Sequence, residues 1–245
     1  MLLTEPSERQ DAHKKNREVV LKFLLCHKYS TLKNIAYELG HASTASASRI
    51  LKRLCSEGLV KKEVIKEEFT KVTLFGITKF GVGALGEDVD EVRHFVPSRV
   101  SWRNLNHTLV NQRVGTWTKN FLKENNVDEI KVINLEFGDL KKYKHIVNFK
   151  HRPDLLVIGK LNNHPLLFLI ETELSLKDTK RYRKIWVEYM NLKKARVIQQ
   201  VWYFVKNKVA IDRVNQIKDK MNLIGENKKL LDDTVNLINI EDNVK

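Results

Sequence analysis

Five apolar residues in a row, Leu166 to Ile170, run straight into Glu171-Thr172-Glu173. Just upstream, a second apolar run from Leu155 to Ile158 is introduced by Arg152-Pro153-Asp154. Runs this short without polar alternation read as buried strands, and Gly159 to His164 between them reads as a turn. Two such strands require a sheet with helices packed on it. Strand side chains alternate with period two, so Glu171 and Glu173 project from one face. If the strands are hairpin neighbours, Asp154 approaches that face as well. Three carboxylates gathered there repel, and burial adds to the cost. A hard divalent cation, Mg²⁺ or Mn²⁺, relieves both and takes oxygen ligands. Such an ion can activate water and stabilise a pentacovalent phosphate.

The flanking pattern supplies the helices. Leu105, Leu109, Val110, Val114, Trp117 and Phe121 recur at helical spacing from Asn104 to Leu122. Ile130 to Phe137 reads as a strand, and Lys141 to Phe149 as irregular chain or an edge strand. Leu176 to about Lys194 reads as a basic helix, Val197 to Val205 as a strand and Asp212 to Leu223 as a helix. Val235 to Ile240 is a candidate last strand. The order α-β-β-β-α-β describes a mixed α/β (α+β) domain, a small mixed sheet flanked by helices. Between Lys177 and Arg196 stand eight cations, Lys180 and Arg181 among them, against Asp178 and Glu188, a composition suited to a phosphate track.

The first third of the chain has a different texture. Asn16 to His27 and the stretch after Thr31, a candidate N-cap, read as helices, the second closed by Gly40. A third helix starts at Ser43 or Thr44 and buries Ala47, Ile50, Leu51 and Leu54. Its other faces carry Ser46, Ser48, Arg49, Lys52 and Arg53: short donors first and cations later, suited to base edges and phosphates. Leu59-Val60 and Val64 to Leu74 form a candidate hairpin, with Lys61 and Lys62 adding charge, and Lys79 to Leu85 a last helical turn or two. Residues 87–99 read as an acidic, Pro-containing linker between domains at 14–86 and 100–245.

Across all 245 residues, 44 Lys and Arg stand against 30 Asp and Glu, which leaves +14 and points to a polyanionic partner. At 42% hydrophobic residues the chain can bury a core, and its 10 Gly and 4 Pro argue against a low-complexity architecture. The longest apolar run, Pro165 to Ile170, falls far short of the ~20 residues of a membrane span. Met1 to Gln10 carries Glu5, Glu8 and Arg9 where a signal peptide is apolar. Cys26 and Cys55 form no CxxC pair and fit a reducing compartment; the expectation is a cytoplasmic protein without membrane insertion. No GxxxxGK[ST] or GxGxxG loop occurs, which disfavours an ATP-driven motor.

Three helices and a hairpin, with Gly58-Leu59-Val60 after the third helix, resemble a winged helix-turn-helix. Pro153-Asp154 followed by Glu171-Thr172-Glu173 resembles the PD-(D/E)xK nuclease superfamily, whose core has the α-β-β-β-α-β order. The superfamily's Lys position is held here by Glu173. Some members take that Lys from the following helix, where Lys177, Lys180 and Lys184 share a face if counted by helical turns.

A narrower resemblance rests on the winged helix, Asn106-His107, Arg152-Pro153-Asp154, Glu171-x-Glu173 and Lys184-x₄-Tyr189. Together they look like the replication-relaxation family, and within it the MobC-type relaxases, which nick the transfer origin of a mobilisable plasmid. The resemblance implies Asp154, Glu171 and Glu173 as ligands of Mg²⁺ or Mn²⁺ and Lys184 as the catalytic cation. His107 and Tyr189 fall on further family motifs. It also implies a bacterial cytoplasmic setting and a coupling protein or relaxosome accessory protein as partner. The eight His never occur as His-x-His, so hydrolytic nicking is expected, with a covalent route through Tyr182 or Tyr189 as the other course. The alternative function is a non-catalytic winged-helix regulator of plasmid replication or transcription.

Overall fold

A computed structural model of the chain describes residues 6–90, 92–137, 143, 149–221 and 223–244. Of the segment from Lys141 to Phe149, all but Tyr143 and Phe149 lies outside the described residues. The chain is mixed α/β and divides into two compact units, Met1–Arg113 and Val114–Lys245.

The first unit opens with α1 (Pro6–His27), β1 (Tyr29–Ser30), α2 (Leu32–Glu38) and α3 (Thr44–Ser56). The hairpin β2 (Val60–Glu67) and β3 (Thr70–Ile77) and the short α4 (Lys79–Gly83) follow. Val20, Leu24, Ile35, Ala47, Leu51, Leu54 and Ile77 form the core where these elements meet. Thr31 accepts from the Asn34 N–H at 3.3 Å and so caps α2, a contact worth ~1 kcal/mol. Gly40, at φ +68°, ends the same helix in a conformation that other residues adopt at a cost. The sheet order is β1-β3-β2, antiparallel throughout, with Tyr29 opposite Gly76 and Val60 opposite Ile77.

Residues 87–99, expected as a linker, return to this sheet. The Phe95 N–H donates to the Ile77 carbonyl at 2.9 Å. The Phe95 ring lies on Gly76 so closely that a Cβ there would fall 2.1 Å from it. The unit also includes the start of α5 (Trp102–Glu124). Buried Gln112 donates from Nε2 to the Tyr29 carbonyl at 2.8 Å, while its Oε1 accepts from Ser30 at 2.6 Å and Asn34 at 3.1 Å. Asn34 also donates to the Leu109 carbonyl at 2.8 Å. A compact unit that ends inside a helix leaves no apolar break in the sequence to mark it.

The second unit is built on β4 (Asp128–Asn134), β5 (Leu155–Leu161), β6 (His164–Glu173), β7 (Gln200–Val205) and β8 (Val235–Asn239), hydrogen-bonded in that order. The first three strands are antiparallel, and β6, β7 and β8 are parallel. The β5–β6 hairpin is longer than its apolar runs. Asn162 and Asn163, both at positive φ, close it, so the ladder runs on through Gly159 to Leu161. Paired positive φ values suit the twist of a two-residue hairpin, and Asn tolerates them.

Both faces of this sheet are covered. Trp202, with the Phe168 ring against it, meets Trp117 and Phe121 of α5 through ring contacts. Leu169, Val201, Tyr203 and Val205 form one core with Tyr182, Ile185, Trp186 and Tyr189 of α6 (Thr179–Lys194). Both strands therefore read as continuous apolar runs. α6 begins three residues later than the expected Leu176, because Asp178 caps it by accepting from the Arg181 N–H at 2.8 Å. The helix expected at 212–223 runs instead as α7 (Lys208–Asp219), capped by Asn207. α8 (Gly225–Thr234) and the short α9 (Ile240–Asn243) have no counterpart in the sequence reading. No helix among the described residues is long and apolar enough to cross a membrane.

Candidate functional site

Glu171 and Glu173 end β6 on the face that α6 covers, and they are 3% and 4% exposed. Asp154 stands just before β5 and clasps the chain on either side of Glu171. Its N–H donates to the Ile170 carbonyl at 3.0 Å, and its Oδ2 accepts from the Thr172 N–H at 2.8 Å. Pro153, which has no N–H to offer a ladder, is buried two residues ahead of this strand.

Glu171 is the hub. Its Oε1 accepts the Tyr189 hydroxyl, and the His151 Nε2 lies 2.9 Å from the same oxygen. Opposite it on β7 stands Tyr203. Burial, followed by the charge of Glu171, pushes the Tyr189 and Tyr203 hydroxyls well above the ordinary phenol range, so both keep their protons. Burial and then Glu173 do the same to Tyr182. Around these carboxylates the Tyr182 hydroxyl is buried beside Glu173 and the Tyr203 hydroxyl beside the Trp186 indole, each interacting with that neighbour.

Glu173 has its own partner. The Lys177 Nζ donates to its Oε2, with the ammonium also 5.9 Å from the centre of the Tyr182 ring. Burial raises the Glu173 pKa and the Lys177 charge opposes that shift. Lys177 lies in the turn before α6, so it shares no helical face with Lys180 and Lys184. Those two lysines, with Arg181, are exposed on α6, while Tyr182, Ile185, Trp186 and Tyr189 fill its inner side. Among the candidates for the missing cation, Lys177 is the one placed against a carboxylate; Lys184 faces solvent.

Of the expected site residues, Asp154, Glu171, Glu173 and Tyr189 come together. His107 is half-buried on α5 and falls in the first unit. His151 and Glu188 were not anticipated. Glu188 accepts the Lys150 N–H at 2.6 Å and the His151 N–H at 3.0 Å, which ties the chain ahead of Asp154 to α6. A signal was available, because Asp178 and Glu188 are the two acids in a basic helical stretch: one caps the helix and the other clamps the loop.

The donors suit a divalent cation less completely than three free carboxylates would. Among the described residues no group of three or more His, Cys, Asp or Glu is placed to hold a metal ion. Glu173 is committed to Lys177. Asp154 and Glu171 remain as oxygen donors of the right chemistry, with Tyr189 and His151 orienting Glu171 as outer-sphere partners orient a ligand.

In the first unit, Arg49, Lys52 and Lys62 are exposed and Ser46 is half-buried. Arg53 is exposed but bonded to Glu57 at 3.1 Å, which Arg17 also holds at 2.6 Å. Lys61 pairs with Glu63 at 3.0 Å. Among the described residues Arg49, Lys52 and Lys62 are therefore the cations of this set that pair with no acid, so a phosphate meets least competition there. No family model, curated protein or solved structure matches the chain.

Proposed function

We propose that the chain is a DNA-nicking endonuclease of the relaxase kind. In this reading the first unit is a winged helix that binds duplex DNA through α3 and through Lys61 and Lys62 at the start of β2. The second unit is a PD-(D/E)xK-like domain that hydrolyses one strand. The observation that carries the reading is the cluster around Glu171: a buried carboxylate clasped by Asp154, oriented by Tyr189 and His151, with Lys177 beside its neighbour Glu173. Burying two glutamates side by side costs stability, and a core needs no such cluster for packing.

A divalent cation, Mg²⁺ or Mn²⁺, would be held by Asp154 and Glu171 and would supply activated water and charge neutralisation. The chain's own groups do the rest. Tyr189 donates a hydrogen bond to Glu171 and fixes the carboxylate in one rotamer. Lys177, drawn in by Glu173, places a positive charge where negative charge grows on the scissile phosphate. Glu188 holds the 150–151 backbone so that Asp154 meets Glu171 in register. A Tyr189 phenol that is fully buried and pushed up in pKa is a poor nucleophile, which supports hydrolysis over a phosphotyrosine intermediate.

One observation favours the non-catalytic reading. Glu173 is neutralised by Lys177, and the described residues contain no three-ligand set. A supercoiled plasmid bearing the cognate origin, incubated with Mg²⁺, Mn²⁺ or EDTA, separates the two. The nuclease reading expects metal-dependent open circles with no protein attached to the cut end, and their loss in Asp154→Ala. Tight binding without nicking under every metal leaves a DNA-binding regulator of plasmid replication or transcription.

A further inference from the structure

At the far end of the β2–β3 hairpin stands Phe69, 104% exposed, in the turn where Glu68 adopts φ +45°. Pairing runs from Val60 opposite Ile77 out to Glu67 opposite Thr70, so the ring sits at the tip of a ladder eight residues long. An aromatic ring left wholly in water contributes nothing to the fold. Alternation sorts the charges along this ladder. Lys62 and Lys66 of β2 and Lys71 of β3 fall on one face. Glu63 and Glu67 fall on the other, where Lys61 pairs with Glu63. Lys66 and Lys71 are direct cross-strand partners, both exposed. Like charges opposite each other destabilise a hairpin, and an anion between them removes the penalty.

We propose that this tip is a binding site for single-stranded DNA, with Phe69 stacked on an unpaired base and Lys66 and Lys71 bracketing the adjoining phosphate. Aromatic stacking beside cations is the chemistry by which proteins hold unpaired strands without reading their sequence. Stacking uses the whole face of the ring, and an unpaired base offers its own face where a base inside a duplex is already stacked on its neighbours. The site rests on the nucleic-acid reading of the first unit and gives it a second substrate form, the opened strand next to a nick.

The test uses the full chain and a labelled oligonucleotide of about 15 nucleotides, single-stranded or as duplex, read by fluorescence anisotropy. Phe69→Ala is expected to weaken single-strand binding about tenfold or more, with Phe69→Trp restoring it and duplex affinity unchanged. A 2-aminopurine in the single strand is expected to change emission with wild type and not with Phe69→Leu. Lys66→Ser with Lys71→Ser is expected to flatten the salt dependence of single-strand binding. Equal single-strand affinity in wild type and Phe69→Ala overturns the proposal. So does a wild type that binds duplex and ignores the single strand, and in that case the nucleic-acid reading stands. A wild type that binds neither form overturns both.

Discussion

Lys28 illustrates how an ionisable side chain can oppose its own fold. It follows α1 at φ +66°, is 8% exposed and donates to the Leu25 carbonyl at 2.7 Å. Burial lowers its pKa from 10.5 to about 8. Between those values the unfolded chain still holds a proton that the folded chain has released, so stability rises as the pH climbs through that window. Lys28→Met is therefore expected to raise stability at pH 7 by about 2 kcal/mol. The advantage over wild type is expected to shrink above pH 8 and vanish near 10.5, measured by urea unfolding across that range. An advantage that does not change with pH assigns the effect to packing. At this same scale the sequence was partly legible for the candidate site. Glu171 and Glu173 stood out because an apolar run leads directly to them, and Asp154 because one starts directly after it. His151 and Lys177 did not, because a His three positions before an Asp and a Lys ahead of a helix cap carry no periodic signal. Their roles come from pairing across the sheet and from a turn whose end only the Asp178 cap defines.

Elements were legible where hydrophobic period and caps agree. α2, with Thr31 and Gly40 at its ends, and α3, with its buried stripe, have both signals. β5 and β6 were recognisable from their apolar runs, though not their full length, since the pair of Asn residues at positive φ sets the hairpin end. α8 was missed because Gly225–Thr234 buries only Leu231 and Thr234, too few for a stripe. The link between α6 and the loop before β5 belongs to this scale as well. Glu188→Ala leaves the Lys150 and His151 N–H groups without their acceptor, a loss of roughly 1–3 kcal/mol. It is expected to depress nicking more than DNA affinity, whereas Glu188→Gln, which keeps an acceptor oxygen, restores much of the rate. Matching losses in rate and affinity for Glu188→Ala contradict a local positioning role.

For the whole molecule, the division inside α5 makes a firm prediction. A fragment of residues 1–113 retains Gln112 and its bonds to Tyr29, Ser30 and Asn34. It is expected to fold and bind duplex DNA without cutting it. A fragment ending at 99 leaves buried Ser30 and Asn34 without that partner and is expected to lose roughly 2–3 kcal/mol, seen as an earlier urea midpoint. Equal midpoints place the boundary at the expected linker instead. Composition foretold a basic chain with a core, and motif order foretold helices around a small mixed sheet. The division at Arg113 was hidden, because a helix shared between two units shows one unbroken period. The central claim, that Asp154 and Glu171 cut DNA, is tested most directly by the rate of open-circle formation in Glu171→Gln against wild type at saturating plasmid and Mn²⁺. Loss of nicking with unchanged DNA affinity is the predicted result. Nicking at the wild-type rate in Glu171→Gln contradicts the account.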